Sequence, residues 1–135
     1  MEKNNENRVI AITKENGLLS EVTSNEHVLL VDEPESLGGT NKAMTPSQLL
    51  CSSLASCTSI TLRMYSNRKS WKLGVISVQV DLLKDTENQD YFERKISFSN
   101  KLTEEQKERL FKIANACPIH KILEKGNKIE TQIIN

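Results

Sequence analysis

No run of apolar residues in this chain is long enough to cross a bilayer as a helix, which takes roughly 18–20 in succession. Nor is charge of one sign in excess, since 18 basic and 18 acidic residues among 135 cancel to a net charge of zero. Nucleic-acid binders gather basic charge on one face to neutralise phosphates. The one local cluster here, Arg63, Arg68, Lys69 and Lys72, is too sparse for that. These absences argue against a membrane span and a nucleic-acid partner. Aromatic residues make up only 4% and hydrophobic residues 37%, so a monomer closes a thin core, and burial against a second copy is an expected remedy. Three prolines and five glycines are too few and too scattered to form a linker, and there are no repeats. The expectation is one domain over residues 1–135. Three cysteines, an odd number, do not make a disulfide framework. The polar, acidic stretch Met1 to Arg8 is unlike a secretory signal, which predicts a cytoplasmic protein with reduced thiols. Reactive, metal-binding and simply buried cysteines remain as options.

The chain opens with three β-prone pieces, Arg8 to Lys14, Leu18 to Thr23 and His27 to Val31, separated by Asn16-Gly17 and Ser24-Asn25-Glu26. The first separator is a hairpin turn signal, and a β-meander over 1–36 is expected. A loop with Pro34 and Gly38-Gly39 follows. A helix over 45–67 is announced by Thr45 as N-cap, Pro46 at the first position and Gln48 completing a capping box. Leu50, Leu54, Cys57, Thr61 and Met64 then recur at spacings of four and three, a stripe that predicts a buried face. The small residues between them predict a central helix packed on several sides. A β-hairpin is expected over 73–99, its strands near Val75–Leu82 and Tyr91–Ser99, with Phe92, Ile96 and Phe98 on one side. Thr103-Glu104-Glu105-Gln106 is a second capping box and starts a helix. Pro118 disfavours the α conformation at Cys117, so that helix breaks there and a third runs to Lys125, ended by Gly126. These two helices span 103–125, and a final strand is expected over 128–134. The order predicts an α+β fold with a mainly antiparallel sheet.

Cys117 is the most informative position. As N-cap of the third helix it meets unpaired N–H groups and the positive dipole end, which favour a thiolate. The plainer reading is a small residue filling a gap where the chain turns. Cys57 sits midway along the central helix, where cysteine is more often a small core residue than a nucleophile. Cys51, on another face, reads as packing. His120 lies three residues after Cys117, on the same side of a helix. It could polarise the thiol, join a zinc site, or be a satisfied surface histidine. Zinc takes three or four convergent ligands, and only Cys117 and His120 are close in sequence, so no metal is expected.

Several segments taken together resemble the OsmC/Ohr family of hydroperoxide reductases. They are Gly38-Gly39; Thr45-Pro46-Ser47-Gln48-Leu49-Leu50 running to Leu54-Ala55-Ser56-Cys57-Thr58; Thr61-Leu62-Arg63-Met64-Tyr65 with Arg68-Lys69 and Trp71; and Cys117-Pro118-Ile119-His120-Lys121-Ile122-Leu123 with Ile129-Glu130-Thr131. The resemblance runs from about Leu37 to the end, in order and spacing. It implies the OsmC-like fold, antiparallel sheets packed around two longer helices in an intertwined homodimer, with each site at the subunit interface. It also implies roles. Cys57 would attack the peroxide bond, Cys117 would resolve the sulfenic acid as a disulfide, and an external dithiol of lipoyl type would reduce it, with no bound cofactor. Gln48 and His120 are possible supporting residues. The chain departs from the family's peroxidases in three places. Ser47 stands where they carry glutamate after the proline, Gln48 stands where an acid often sits one residue later, and Lys14 to Leu18 offers no arginine. These departures motivate an alternative, a non-enzymatic OsmC-like protein that binds a small apolar or thiol-reactive ligand. A thiol-disulfide regulator of partner proteins is a third reading.

Overall fold

A computed structural model describes residues 6–135 of the chain. The backbone divides into two compact units, one ending at Leu50 and the other running Cys51–Asn135. In the first unit, β1 (Ile10–Thr13), β2 (Ser20–Ser24) and β3 (His27–Val31) form an antiparallel sheet in that order. Ser24 pairs with His27, leaving Asn25-Glu26 as a two-residue turn, and Asn25 takes the positive φ of 54° that such tight hairpins favour. Asn16-Gly17 does not make an equally tight turn. Thr13 pairs with Ser20, so Gly17, at φ 84°, lies inside a longer loop.

The segment after β3 is organised by one buried carboxylate. Asp32 accepts hydrogen bonds from the Thr40 hydroxyl at 2.5 Å and from the backbone N–H groups of Glu33 at 2.8 Å, Lys42 at 3.1 Å and Thr40 at 3.2 Å. The chain passes through a 3-10 turn, Glu35–Leu37, and folds back so closely that a Cβ at Gly39 would collide with the Glu33 carbonyl. Helix α1 (Pro46–Lys69) then begins on the expected capping box: Gln48 N–H donates to Thr45 Oγ1 at 3.1 Å, and Thr45 N–H to Gln48 Oε1 at 2.9 Å.

In the second unit, α1 is followed by the antiparallel hairpin of β4 (Ile76–Lys84) and β5 (Asp90–Phe98), then by α2 (Glu104–Asn115) and α3 (Pro118–Lys125). The core joins Leu62 and Tyr65 of α1 to Leu73 and to Leu110 and Ala114 of α2, with Ile76, Ile96 and Phe98 of the hairpin against it. Each fully buried leucine contributes roughly 1.5–3 kcal/mol. Gly74 takes φ 72° where a Cβ would strike the Ser99 hydroxyl, so the turn from α1 into β4 needs glycine.

Two expectations are corrected. The buried face of α1 is Leu54, Thr58, Leu62 and Tyr65, one residue round from the predicted stripe, whose Leu50 and Met64 are exposed. The helix is so rich in small polar residues that the apolar pattern alone fits either face. The final strand at 128–134 does not form in the single chain: this stretch is irregular, with Ile129, Ile133 and Ile134 between 86% and 90% exposed. A strand needs a neighbouring edge to satisfy its backbone, and none of the described strands pairs with it.

The carboxyl of Asp32 is held near pKa about 2, down from 3.8, first by the Thr40 hydroxyl, against the opposing effect of burial, and then by the backbone N–H donors. A depressed folded-state pKa stabilises the fold above the unfolded value and ceases to do so as pH falls through the folded one. Thermal melts of wild type and Asp32→Asn should therefore differ at pH 6, with wild type higher. The gap should close between about pH 4 and pH 2.

Candidate active site around Cys117

The break between α2 and α3 is local in origin. Pro118 cannot continue a helix from Cys117 but suits the first position of a new one. Cys117 accordingly takes extended angles (φ −64°, ψ 145°) and becomes the N-cap of α3. Its sulfur accepts the backbone N–H of His120 at 3.4 Å, and the residue is fully buried. The thiol is therefore seated by the chain reversal, as the proline spacing predicts.

On the other side of Cys117 lies α1, and the residue it presents is Thr58, with Oγ1 3.8 Å from Sγ. Cys57 is one residue earlier, about 100° round the helix, half-buried and not in a disulfide. Cys51 is likewise free and half-buried. The expected partner thiols thus occupy neighbouring elements, with Thr58 as the direct contact.

The Thr58 oxygen is fully used. It lies 2.7 Å from the Leu54 carbonyl, to which only its hydroxyl proton can donate. It accepts from Arg94 Nη1 at 3.1 Å. With its one proton committed and arginine always a donor, Thr58 offers Cys117 a lone pair, so the S–H points from Cys117 to Thr58.

Arg94 is the residue that the sequence reading passed over. Its Nη2 donates to Asn115 Oδ1 at 2.9 Å and reaches His120 Nδ1 at 3.0 Å. Because a guanidinium cannot accept, Nδ1 must, which leaves the imidazole proton on Nε2, facing Glu124 Oε2 at 3.1 Å. His120 therefore does not turn a ring nitrogen to the thiol, and its contact with Cys117 is through the backbone. Both ring nitrogens are engaged, and among the described residues no three His, Cys, Asp or Glu side chains converge as metal ligands would. A signal for Arg94 was present in the strand pattern. Phe92, Ile96 and Phe98 share a face of β5 at period two, and Arg94 fills the remaining place in that alternation.

Gln48 is engaged in the cap of α1. Arg63 donates to the Gly74 carbonyl; six residues beyond Cys57, it lies about 240° further round α1. Arg94, Asn115, His120 and Glu124 lie in the wall of a groove of about 1030 Å³, together with the polar Ser97, Asn100, Lys101 and Lys107 and with an apolar part that includes Leu54, Phe92, Ile96, Leu110, Phe111 and Leu123. No helix of the described residues is long and apolar enough to cross a membrane.

Residues 39–132 match the family model described as OsmC-like protein. No curated protein matches the chain. Among solved structures, the chain is similar to an OsmC like protein from Mycoplasma pneumoniae, at 20% identity and TM-score 0.67, covering 87% of this chain and 86% of that one. It is also similar to an organic hydroperoxide resistance protein OsmC from Legionella pneumophila, at 24% identity and TM-score 0.58, covering 84% and 85%. A third likeness is to the organic hydroperoxide resistance protein OhrB of Bacillus subtilis, at 22% identity and TM-score 0.57, covering 89% and 90%. At these identities the likeness establishes the fold.

The N-cap role of Cys117 has a stability consequence. Cys117→Ser keeps an oxygen to accept the His120 N–H and a second partner in Thr58, whereas Cys117→Ala leaves that N–H bare. Losing an N-cap acceptor costs about 1 kcal/mol, so urea denaturation should rank Cys117→Ala below Cys117→Ser by that order.

Proposed function

Because this chain belongs to the OsmC-like protein family, we propose that it is a thiol-dependent peroxidase that reduces organic hydroperoxides in defence against oxidative stress. The observation that carries the reading is the buried Cys117 thiol, capped by His120 N–H and held against the α1 residue next to the more accessible Cys57. The Cys57 thiolate attacks the terminal peroxide oxygen, the O–O bond breaks, and the departing alkoxide takes a proton to leave as the alcohol. Cys57 is then a sulfenic acid. Cys117 attacks its sulfur, the S–S bond forms, the S–O bond breaks, and the thiol proton leaves with the hydroxyl as water. An external dithiol of lipoyl type restores both thiols and leaves as its own disulfide. The partner expected for completion of the site is a second copy of the chain. The exposed Ile129, Ile133 and Ile134 beyond α3, and Val28, Leu29 and Leu30 of β3, support a homodimer, since exposed apolar side chains next to one another are candidates for burial by association.

Cumene hydroperoxide consumption with dihydrolipoamide tests the enzyme reading. Cys57→Ser should lose at least about a hundredfold in rate, and Cys117→Ser should accumulate sulfenic acid without disulfide. Equal consumption by Cys57→Ser and wild type would remove Cys57 from the mechanism.

The groove favours a second reading, a binding protein for a small apolar ligand. Its size is at the upper end of ordinary ligand sites, and its wall combines apolar side chains with polar and charged ones. Native mass spectrometry of the purified protein should then show a retained ligand, together with no turnover of any hydroperoxide. A ligand-free protein that turns over cumene hydroperoxide would exclude it.

A further inference from the structure

Arg94 is an expensive residue to place where it is. It sits half-buried on the core-facing side of β5, and desolvating a guanidinium is costly unless an anion accompanies it. Among the described residues it forms no ion pair. Its partners are three neutral acceptors, from Thr58, Asn115 and His120, and they belong to three different helices. Two of these three residues are also the two that hydrogen-bond to the Cys117 sulfur. A fork of fixed N–H directions spanning Thr58 and His120 therefore determines both neighbours of the thiol at once.

We propose that Arg94 is the positioning residue of Cys117. By donating to Thr58 Oγ1 it keeps the hydroxyl proton directed at the Leu54 carbonyl and a lone pair toward the thiol. By donating to His120 Nδ1 it holds the ring in one tautomer, and with it the first turn of α3 whose N–H caps the sulfur. Within the hydrogen-bond network the charged and titratable groups are Arg94 from β5 and His120 and Glu124 from α3, with the Cys57 thiol next to Thr58 on α1. Helix α1 brings the neutral Thr58 hydroxyl, and α2 the neutral Asn115 amide. The inference rests on the reading of Cys117 as the thiol that closes the disulfide. In that step Cys117 loses its S–H proton to the hydroxyl leaving Cys57, the S–S bond forms, and water departs. The hydroperoxide already consumed is the only oxidant needed. Arg94 spends its hydrogen bonds on Thr58, Asn115 and His120 and not on a sulfur, and acts by fixing the direction from which Cys117 approaches.

Rapid-quench reaction of the full-length protein with one equivalent of cumene hydroperoxide separates sulfenic acid formation from disulfide closure. In Arg94→Met the ratio of closure rate to sulfenate rate should fall at least about tenfold. Arg94→Lys should recover only part of it, because a single ammonium cannot span both acceptors. Imidazole nitrogen NMR gives a readout that does not depend on turnover, and with His27 the only other histidine the assignment is simple. Wild-type His120 should show a bare Nδ1 and a protonated Nε2, and Arg94→Met should show a tautomer mixture. An unchanged rate ratio in folded Arg94→Met overturns the proposal. If that variant does not fold, the pair Thr58→Ser and Thr58→Val decides: serine should keep the ratio and valine should lower it, and an unaltered ratio in valine overturns it. If wild type forms no sulfenic acid, the peroxidase reading fails separately, and unchanged His120 nitrogen shifts in Arg94→Met then overturn the positioning role.

Discussion

The oxygen of Thr58 has one proton and two lone pairs, and three elements claim them. The proton goes back along α1 to the Leu54 carbonyl, one lone pair takes the Arg94 fork from β5, and the other faces the Cys117 thiol at the start of α3. Because the group is fully buried, a missing partner there would cost on the order of 1–3 kcal/mol. Helix α1, strand β5 and the start of α3 must therefore meet at this atom with hydrogen-bond geometry as well as apolar packing. The orientation of the thiol proton follows from the same inventory, since no other assignment satisfies every donor.

The site owes its precision to constraints of different range. Pro118 ends α2 and opens α3 within the chain itself, which makes Cys117 an N-cap wherever the helices lie. The core of Leu62, Tyr65, Leu73, Leu110 and Ala114 brings α1 and α2 together without direction. Direction comes from the polar chain Thr58, Arg94, His120 and Glu124, whose donors and acceptors admit one arrangement. Polar networks of this kind specify a unique geometry more than they add stability, which is what two thiols that must meet require.

The first unit follows the same logic with different means. Asp32 gathers the donors of a whole loop, and Gly39 permits the backbone to pass where any side chain would collide. Its sheet leaves apolar residues of β3 exposed, as does the segment beyond α3. A fold whose decisive features are a capped turn, a glycine crossing and a helix break is compatible with identities near 20%, as its structural likenesses show, because few positions carry those features.

Much of this was legible in order along the chain. Both capping boxes, the Asn25 turn, the helix break at Cys117-Pro118 and the two long hairpin strands follow from local sterics and from hydrogen bonds within a few residues, and they stand within a residue or two of expectation. The resemblance carried by Gly38-Gly39, the Thr45 to Thr58 run and the Cys117 to Leu123 run identified the family. Three things needed the tertiary structure. The buried face of α1 runs through Thr58, because small polar residues gave the helix two nearly equivalent stripes and only packing chose between them. The 128–134 stretch is not a strand in the single chain, because β propensity forms nothing without an edge to pair with. Arg94 joined the site because its role depends on acceptors 36, 21 and 26 residues away, a separation that no local pattern records. The sequence by itself placed Cys117 at a helix start beside a proline. Only the folded chain decided which atoms surround its sulfur, because hydrogen-bond direction between distant elements is a property of their packing.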